Sequence, residues 1–589
     1  MAWRKTRWGV LVVAAAFAAE GCTGFGENCS TNADCIAQNP ASVCDPTLNV
    51  CFLYAGPVVT DIVPVDHATG VAGENVQVAA TFSLPIVDAG VSASTFQVVG
   101  QGFDTFGSYL VDTASLQATF EPLAGALALG TEYAVHLTDG IVDGSGRPLL
   151  PFNSTFSTRD GAFGQGGTLR FSTQTGSYTM AENYVGNIIT AVDIYTGGGT
   201  SFDYELSVGI SDAGSTPAIT TVLQNIVGQE VNNLSVAIAT DGTAFVAWTT
   251  QPTDAGTPLS YTTLVSAYDP RAQAWSPNTT VTGPAPTPKF AQVVAFNAAD
   301  GDDGLVVWLQ TVGAKQVVYG NYHRADAGWL GANSFQTNNL LGASNVSVAA
   351  DFAGDALIAW QSEQSGSGLP EVLAVYSPSG GSSSPPVVVS NRAVASVVPQ
   401  VALGITGLGA VVWPQQTLQT DGGIITSHVF ASTFDPTLGV GTAVQLDSAA
   451  TFANFPQVGV AANGNVFVIW QELGAVVTST YLLDAGSWSS PVTLDSDPTF
   501  PVNGPAVVVD PGGNAIAAWL KVTPDAGYQM FGGRYTVDGG WHGTTQLTVG
   551  ADPVLDIVPT LAVDATGRSF ALETRLPGDT LYLEYIPFK

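Results

Sequence analysis

Basic side chains are scarce: 16 lysines and arginines stand against 48 acidic residues in a chain of 589, a formal net charge of −32. A surface of that sign repels phosphate backbones and anionic lipid headgroups, which argues against a nucleic-acid partner. Histidine is rarer still, and His67, His136, His323, His428 and His542 never recur within one turn or strand pair, so no histidine metal motif is present. The sequence contains no Gly-x-Ser-x-Gly elbow, no phosphate loop and no dinucleotide fingerprint. Helical periodicity is missing after the first twenty residues, which leaves β-structure as the way to bury the 46% of apolar side chains.

The one long apolar run, from Trp8 to Ala19, follows Arg4, Lys5 and Arg7 and ends at Ala19-Glu20-Gly21-Cys22. That order of charge, apolar stretch and small residue is that of a signal peptide over residues 1–21, and the run is too short for a stable membrane span. A small residue just before a cysteine resembles the lipobox of bacterial lipoproteins. The resemblance implies that Cys22 becomes the lipidated first residue, anchored in the outer membrane, with Thr23 in place of a retention aspartate. Ala19 and Glu20 depart from the usual lipobox residues, and plain secretion is the alternative. The cysteine count favours lipidation, because four cysteines then remain and can pair completely.

Cys29, Cys35, Cys44 and Cys51 lie in a stretch, residues 22–56, with too few apolar side chains for a core. Their spacing is wider than that of zinc knuckles, so disulfides are expected, in one of three possible pairings. The segment resembles the short cysteine modules that follow the lipobox in bacterial surface lipoproteins and serve as a stalk.

Residues 57–160 alternate in short runs such as Val76 to Phe82, punctuated by Gly, Pro and Asp, as antiparallel strands of a sandwich do. Pro64, Gly70-Val71, Phe82-Ser83-Leu84-Pro85, Thr119-Phe120-Glu121-Pro122, Leu129 to Tyr133, Asp143 to Leu149 and Phe156-Ser157-Thr158 come in the order of the bacterial Ig-like domain of surface proteins, which this region resembles. The resemblance implies a spacer or adhesive module without catalytic residues. Asp139 and Asp143 beside glycine read as turn residues ahead of a cation site.

Residues 161–589 repeat. An apolar run, a turn glycine and a second apolar run ending in tryptophan recur at Trp248, Trp308, Trp360, Trp413, Trp470 and Trp519, and a seventh copy carries Glu573 at that place. In six of the seven the glycine stands six positions earlier; the Trp308 copy holds the extra pair Asp302-Asp303. Terminal residues 49 to 60 positions apart, with a third and fourth strand in each unit, suit a β-propeller whose tryptophans wedge between blades. The expected fold class is therefore all-β: an Ig-like β-sandwich followed by a seven-bladed β-propeller, or an eight-bladed one if residues 167–212 form a degenerate unit. Ala218 to Leu223 is expected to supply the outermost strand that the last unit lacks.

The Asp-x-Gly turns before Trp329, Trp488 and Trp541 partly resemble the Asp-boxes of sialidase-like propellers, which are structural turns. Arg271, Arg324, Arg392, Arg534, Arg568 and Arg575 share no repeat position, so no catalytic convergence is read. The function expected first is non-enzymatic binding of a glycan or protein ligand at the cell surface. The alternative is an extracellular carbohydrate-active hydrolase using the propeller's central funnel. No cofactor is expected; the carboxylate excess would draw calcium, but no motif supports a site.

Overall fold

The structure is a computed structural model. It describes residues 29, 34–35, 42–45 and 49–589, the last stretch interrupted at 75, 173–174, 198–202, 253–260, 282–288, 300, 337–341, 364–368, 391–394, 419–423, 448–451, 498, 500–501, 525–526, 549–553, 555–557 and 576–580. The expected signal peptide and Cys22 lie outside the described residues. Every regular element of four or more residues named among the described ones is a strand.

The cysteines pair as Cys29–Cys44 and Cys35–Cys51 around the hairpin Ser42–Asp45 and Val50–Leu53. Three of the sulfurs lie close enough together to have held a metal ion, but all four are consumed in S–S bonds. Among the described residues these four side chains form a buried cluster of their own, so the covalent links take the place of apolar packing.

The next hundred residues form two sheets over one core. Strands Val59–Val63, Val78–Phe82, Gln117–Pro122 and Gly107–Asp112 make one sheet; Ala68–Val71, Phe152–Thr158, Glu132–Leu137, Phe96–Gly100 and Phe103–Asp104 make the other. Alternate residues point inward, and Phe82, Phe96, Phe120, Val135 and Phe156 from both sheets fill the space between them. Asp143 is a turn residue: Oδ1 accepts from the amides of Ser145 and Arg147, and Oδ2 takes Arg147 Nε at 2.7 Å.

Eight antiparallel sheets follow, numbered here 1 to 8 in chain order: 175–227, 229–280, 289–334, 343–388, 395–445, 453–496, 502–546, and 560–588 joined by Gly167–Ser172. Each begins with an inner strand. Successive inner strands touch from sheet 1 to sheet 8, and Thr560–Val563 touches Thr175–Glu182 to complete the cycle. Apolar clusters fill the spaces between neighbouring sheets all the way round, the last joining sheets 8 and 1. A single sheet of this size cannot bury both faces, and packing against two neighbours does so. Trp248, Trp308, Trp360, Trp413, Trp470 and Trp519 are each 0–1% exposed and pack against the preceding sheet.

Two expectations change. Seven tryptophan- or glutamate-ended units are counted in the sequence, with an eighth as the alternative, whereas the chain forms eight such sheets. The turn of sheet 1, Asn183 to Asn187, has the same hydrogen bonds as the others, and Val192 stands where tryptophan would fall. Its small buried side chain hides the repeat from the sequence. The strand completing sheet 8 is also not Ala218 to Leu223: Thr221–Val227 is used within sheet 1, and Gly167–Ser172 pairs with Leu581–Phe588 instead. Residues 167–172 precede every sheet and have no hairpin partner of their own, so they are free to reach the last strand.

The turns between first and second strands are alike. In each, the first residue's amide donates to the carbonyl four residues on, and the glycine three residues on donates back. Gly186, Gly242, Gly301, Gly354, Gly407, Gly464, Gly513 and Gly567 hold φ between 77° and 90°, which is why glycine recurs there. The extra residue before Trp308 is absorbed as a β-bulge, with Asp303 on His323 at 2.6 Å and Asp302 on Arg324 at 3.0 Å.

Candidate functional site

The sandwich lies against the face formed by these turns. Leu129 N donates to Thr566 O (2.8 Å), Asn514 Nδ2 donates to Leu129 O (3.1 Å) and Thr131 Oγ1 (2.9 Å), and Asn463 Nδ2 donates to Gln101 O (3.2 Å). Arg534 reaches Asp160 Oδ1 at 3.2 Å, and Arg568 reaches Glu74 Oε1 at 2.6 Å. Phe106 of the sandwich enters the axial end of the sheets and meets Tyr184 at 5.7 Å and Phe352 at 6.0 Å between ring centroids. A domain acting only as a spacer has no need of so many directed bonds.

Three voids run in succession beneath the sandwich. The first, about 520 Å³, is lined by Phe106, Gly107, Leu123, Thr240, Asp241, Asn297 and Phe352. Thr240 and Phe352 also line an axial cavity of about 220 Å³, walled by inner-strand ends that include Glu182, Asp351 and Asp564. Glu182 and Asp564 in turn line a third void of about 360 Å³ at the junction of sheets 1 and 8, with Arg568, Ser215, Thr216 and Lys589. The shared walls make one cleft, aromatic at one end and acidic in the middle.

Burial governs its electrostatics. The Glu182 carboxyl is raised well above the usual carboxylate range, first by desolvation and then by the charge of Asp564. Desolvation also pushes Asp564 up to about 6, against hydrogen bonds from Thr566 and the charge of Arg568. Asp351 and Asp510 are likewise pushed up to about 6 by burial. Glu182 Oε2 is shut off from solvent and has no hydrogen-bond partner among the described residues. Asp564 differs: Oδ1 accepts from Thr566 N (2.8 Å), Thr566 Oγ1 (2.7 Å) and Arg568 N (3.0 Å).

The tryptophans expected as blade wedges are packed in the inter-sheet cores, and the paired cysteines lie in their own N-terminal segment, so neither group lines the cleft. Sequence reasoning finds no convergence of acids and arginines, yet the fold brings Glu182, Asp564 and Arg568 to one void. A signal was present: three residues before four of the eight turn glycines stand Asn183, Asp351, Asp510 and Asp564, whose side chains accept the amide four residues on. Glu182 adjoins that position in sheet 1, where Val192 replaces the tryptophan.

Residues 55–158 match the model of the bacterial Ig-like domain. No curated protein matches the chain. Among solved structures it is weakly similar to a protein of unknown function from Dyadobacter fermentans, at 9% identity over 62% of this chain and 95% of that one, TM-score 0.35. It is also similar to an ulvan lyase, at 9% identity over 66% and 94%, TM-score 0.37. A variant of the NanB sialidase from Streptococcus pneumoniae aligns at 10% identity over 93% and 88%, TM-score 0.31. Scores this low carry no function to this chain.

Proposed function

We propose that this protein is an exported, Cys22-anchored outer-membrane lipoprotein, an eight-bladed β-propeller capped by an Ig-like sandwich, that binds a neutral glycan in the cleft between the two. The observation that carries the reading is the first void, where the aromatic side chains of Phe106 and Phe352 line the wall together with the exposed residues Asp241 and Asn297. Aromatic faces pack on the apolar face of a sugar ring, while carboxylate and amide groups receive and give hydrogen bonds to its hydroxyls. No lysine or arginine lines this void, and the chain is strongly acidic, so an anionic saccharide is disfavoured. The signal-peptide order and lipobox-like residues at 19–22 support export and anchoring.

The test is an array of neutral and acidic glycans probed with the chain lacking residues 1–21 and carrying Cys22→Ser, followed by calorimetry on the hits. Neutral oligosaccharides are expected to bind, and Phe352→Ala to weaken them roughly tenfold. Binding confined to acidic glycans, or to a basic peptide added as a control, refutes the reading.

A further inference from the structure

The acidic middle of the cleft is not needed for holding a sugar. Glu182 closes the inner strand of sheet 1 and Asp564 opens the turn of sheet 8, so the meeting of the first and last sheets is what places two carboxyl groups on the same two voids. Their surroundings are unequal. Asp564 Oδ1 is held by two amides and a hydroxyl, the pattern that stabilises a carboxylate, and Oδ2 takes part in none of these bonds. Glu182 Oε2 is shielded from water and receives no donor among the described residues, and an ionised carboxylate is costly in that position. Two neighbouring carboxyls do not both ionise readily, so the better hydrogen-bonded one, Asp564, carries the charge and Glu182 keeps its proton. Arg568, tethered to Glu74, adds positive charge that acts on both carboxyls.

We propose that the cleft hydrolyses the glycosidic bond of the neutral saccharide it binds, with Glu182 as the general acid and Asp564 as the general base. This rests on the glycan reading above. Glu182 gives its proton to the glycosidic oxygen as the bond from that oxygen to the anomeric carbon breaks. A water molecule forms the new bond to that carbon, and its proton passes to Asp564. One water is consumed, two shorter saccharides leave, and solvent returns the proton from Asp564 to Glu182. The aromatic end of the cleft positions the chain, and Phe352 acts on binding alone.

The experiment uses the same soluble chain with fluorescently labelled tetrasaccharides of glucose, xylose, mannose and N-acetylglucosamine, reading products by mass spectrometry in ¹⁸O-water. Shortened products with one ¹⁸O at the new reducing end are expected. Glu182→Gln and Asp564→Asn are each expected to lower kcat by roughly 100-fold or more while binding stays within about threefold. Phe352→Ala is expected to raise KM with little change in kcat. Circular dichroism melts establish that the variants are folded, and Glu182→Asp, which keeps the acid, is expected to retain part of the activity. A wild-type chain that binds a tetrasaccharide without cleaving it overturns hydrolysis and leaves the binding reading standing. Cleavage undiminished in Glu182→Gln overturns the assignment of the acid, and absence of any binding removes both proposals.

Discussion

Asn514 Nδ2 of sheet 7 donates to the carbonyl of Leu129 and the hydroxyl of Thr131 in the sandwich region, 385 and 383 residues away in sequence, and shares its hydrogens with Asp510 Oδ2 of its own turn. Its own oxygen accepts from Val537 N at 3.2 Å, so one side chain ties the sandwich, an inner turn and an outer turn together. Asn514→Ala removes these bonds, Val537 N losing its acceptor, and is expected to cost about 1–3 kcal/mol, measured by chemical denaturation. A variant as stable as the parent shows that the sandwich is not held there.

The cysteine segment is expected to fold by oxidation alone. Peptide mapping without reductant is expected to find the pairs 29–44 and 35–51, which close loops of 15 and 16 residues. Loops of that length are each worth about 3 kcal/mol to the segment. Reduction is expected to unfold this hairpin and leave the main melting transition in place, because among the described residues its buried cluster is the four cysteines.

Trp413 is 0% exposed between sheets 4 and 5. Trp413→Ala is expected to destabilise the chain by about 3–5 kcal/mol. If Trp413→Ala melts with the parent, the tryptophan is not the wedge that its burial implies.

Phe455 sits in the bulge of an inner strand with φ of 54°, a left-handed conformation that a bulky residue adopts at a cost of about 1–2 kcal/mol. Asn233 and Asn345 occupy the same bulge in sheets 2 and 4. Since Phe455 is largely exposed, Phe455→Asn loses little packing and is expected to raise stability by about 1 kcal/mol in denaturation experiments.

Stability is expected to fall as pH rises from about 4 to about 7. Burial pushes Asp193 up to about 7, and Asp351, Asp510 and Asp564 up to about 6. An unfolded aspartate titrates near 3.9, so over that window the folded chain holds more protons than the unfolded one, and stability decreases with pH. Melting temperatures are expected to be higher at pH 5 than at pH 8, with the difference reduced in Asp193→Asn. The opposite order rules out these carboxyls as the dominant titrating groups.

The repeat could be read wherever its two markers coincide. A glycine forced to positive φ and a large ring six residues later identify the turn and second strand of sheets 2, 4, 5, 6 and 7 without reference to anything distant. Sheet 3 breaks the spacing by one residue, which a bulge absorbs. Sheet 1 keeps the glycine at Gly186 but has Val192 at the second position, and this is the sheet that the sequence count leaves open. The Ig-like landmarks, from Pro64 to Phe156, were legible for a similar reason: each is a turn or an inward-facing residue whose role is local.

Composition, alternation and cysteine number by themselves determined an acidic, all-β chain with a cross-linkable segment, a sandwich and a run of similar sheets, because those properties follow from side-chain period and turn chemistry over a few residues. Only the tertiary structure decided which cysteines pair, that Gly167–Ser172 completes the last sheet, and that Phe106 reaches Tyr184 and Phe352. It also decided that Glu182 and Asp564 share a cleft with Arg568. Each of those outcomes depends on segments far apart in the chain being brought together by burial, and no local pattern carries the position of a partner hundreds of residues away.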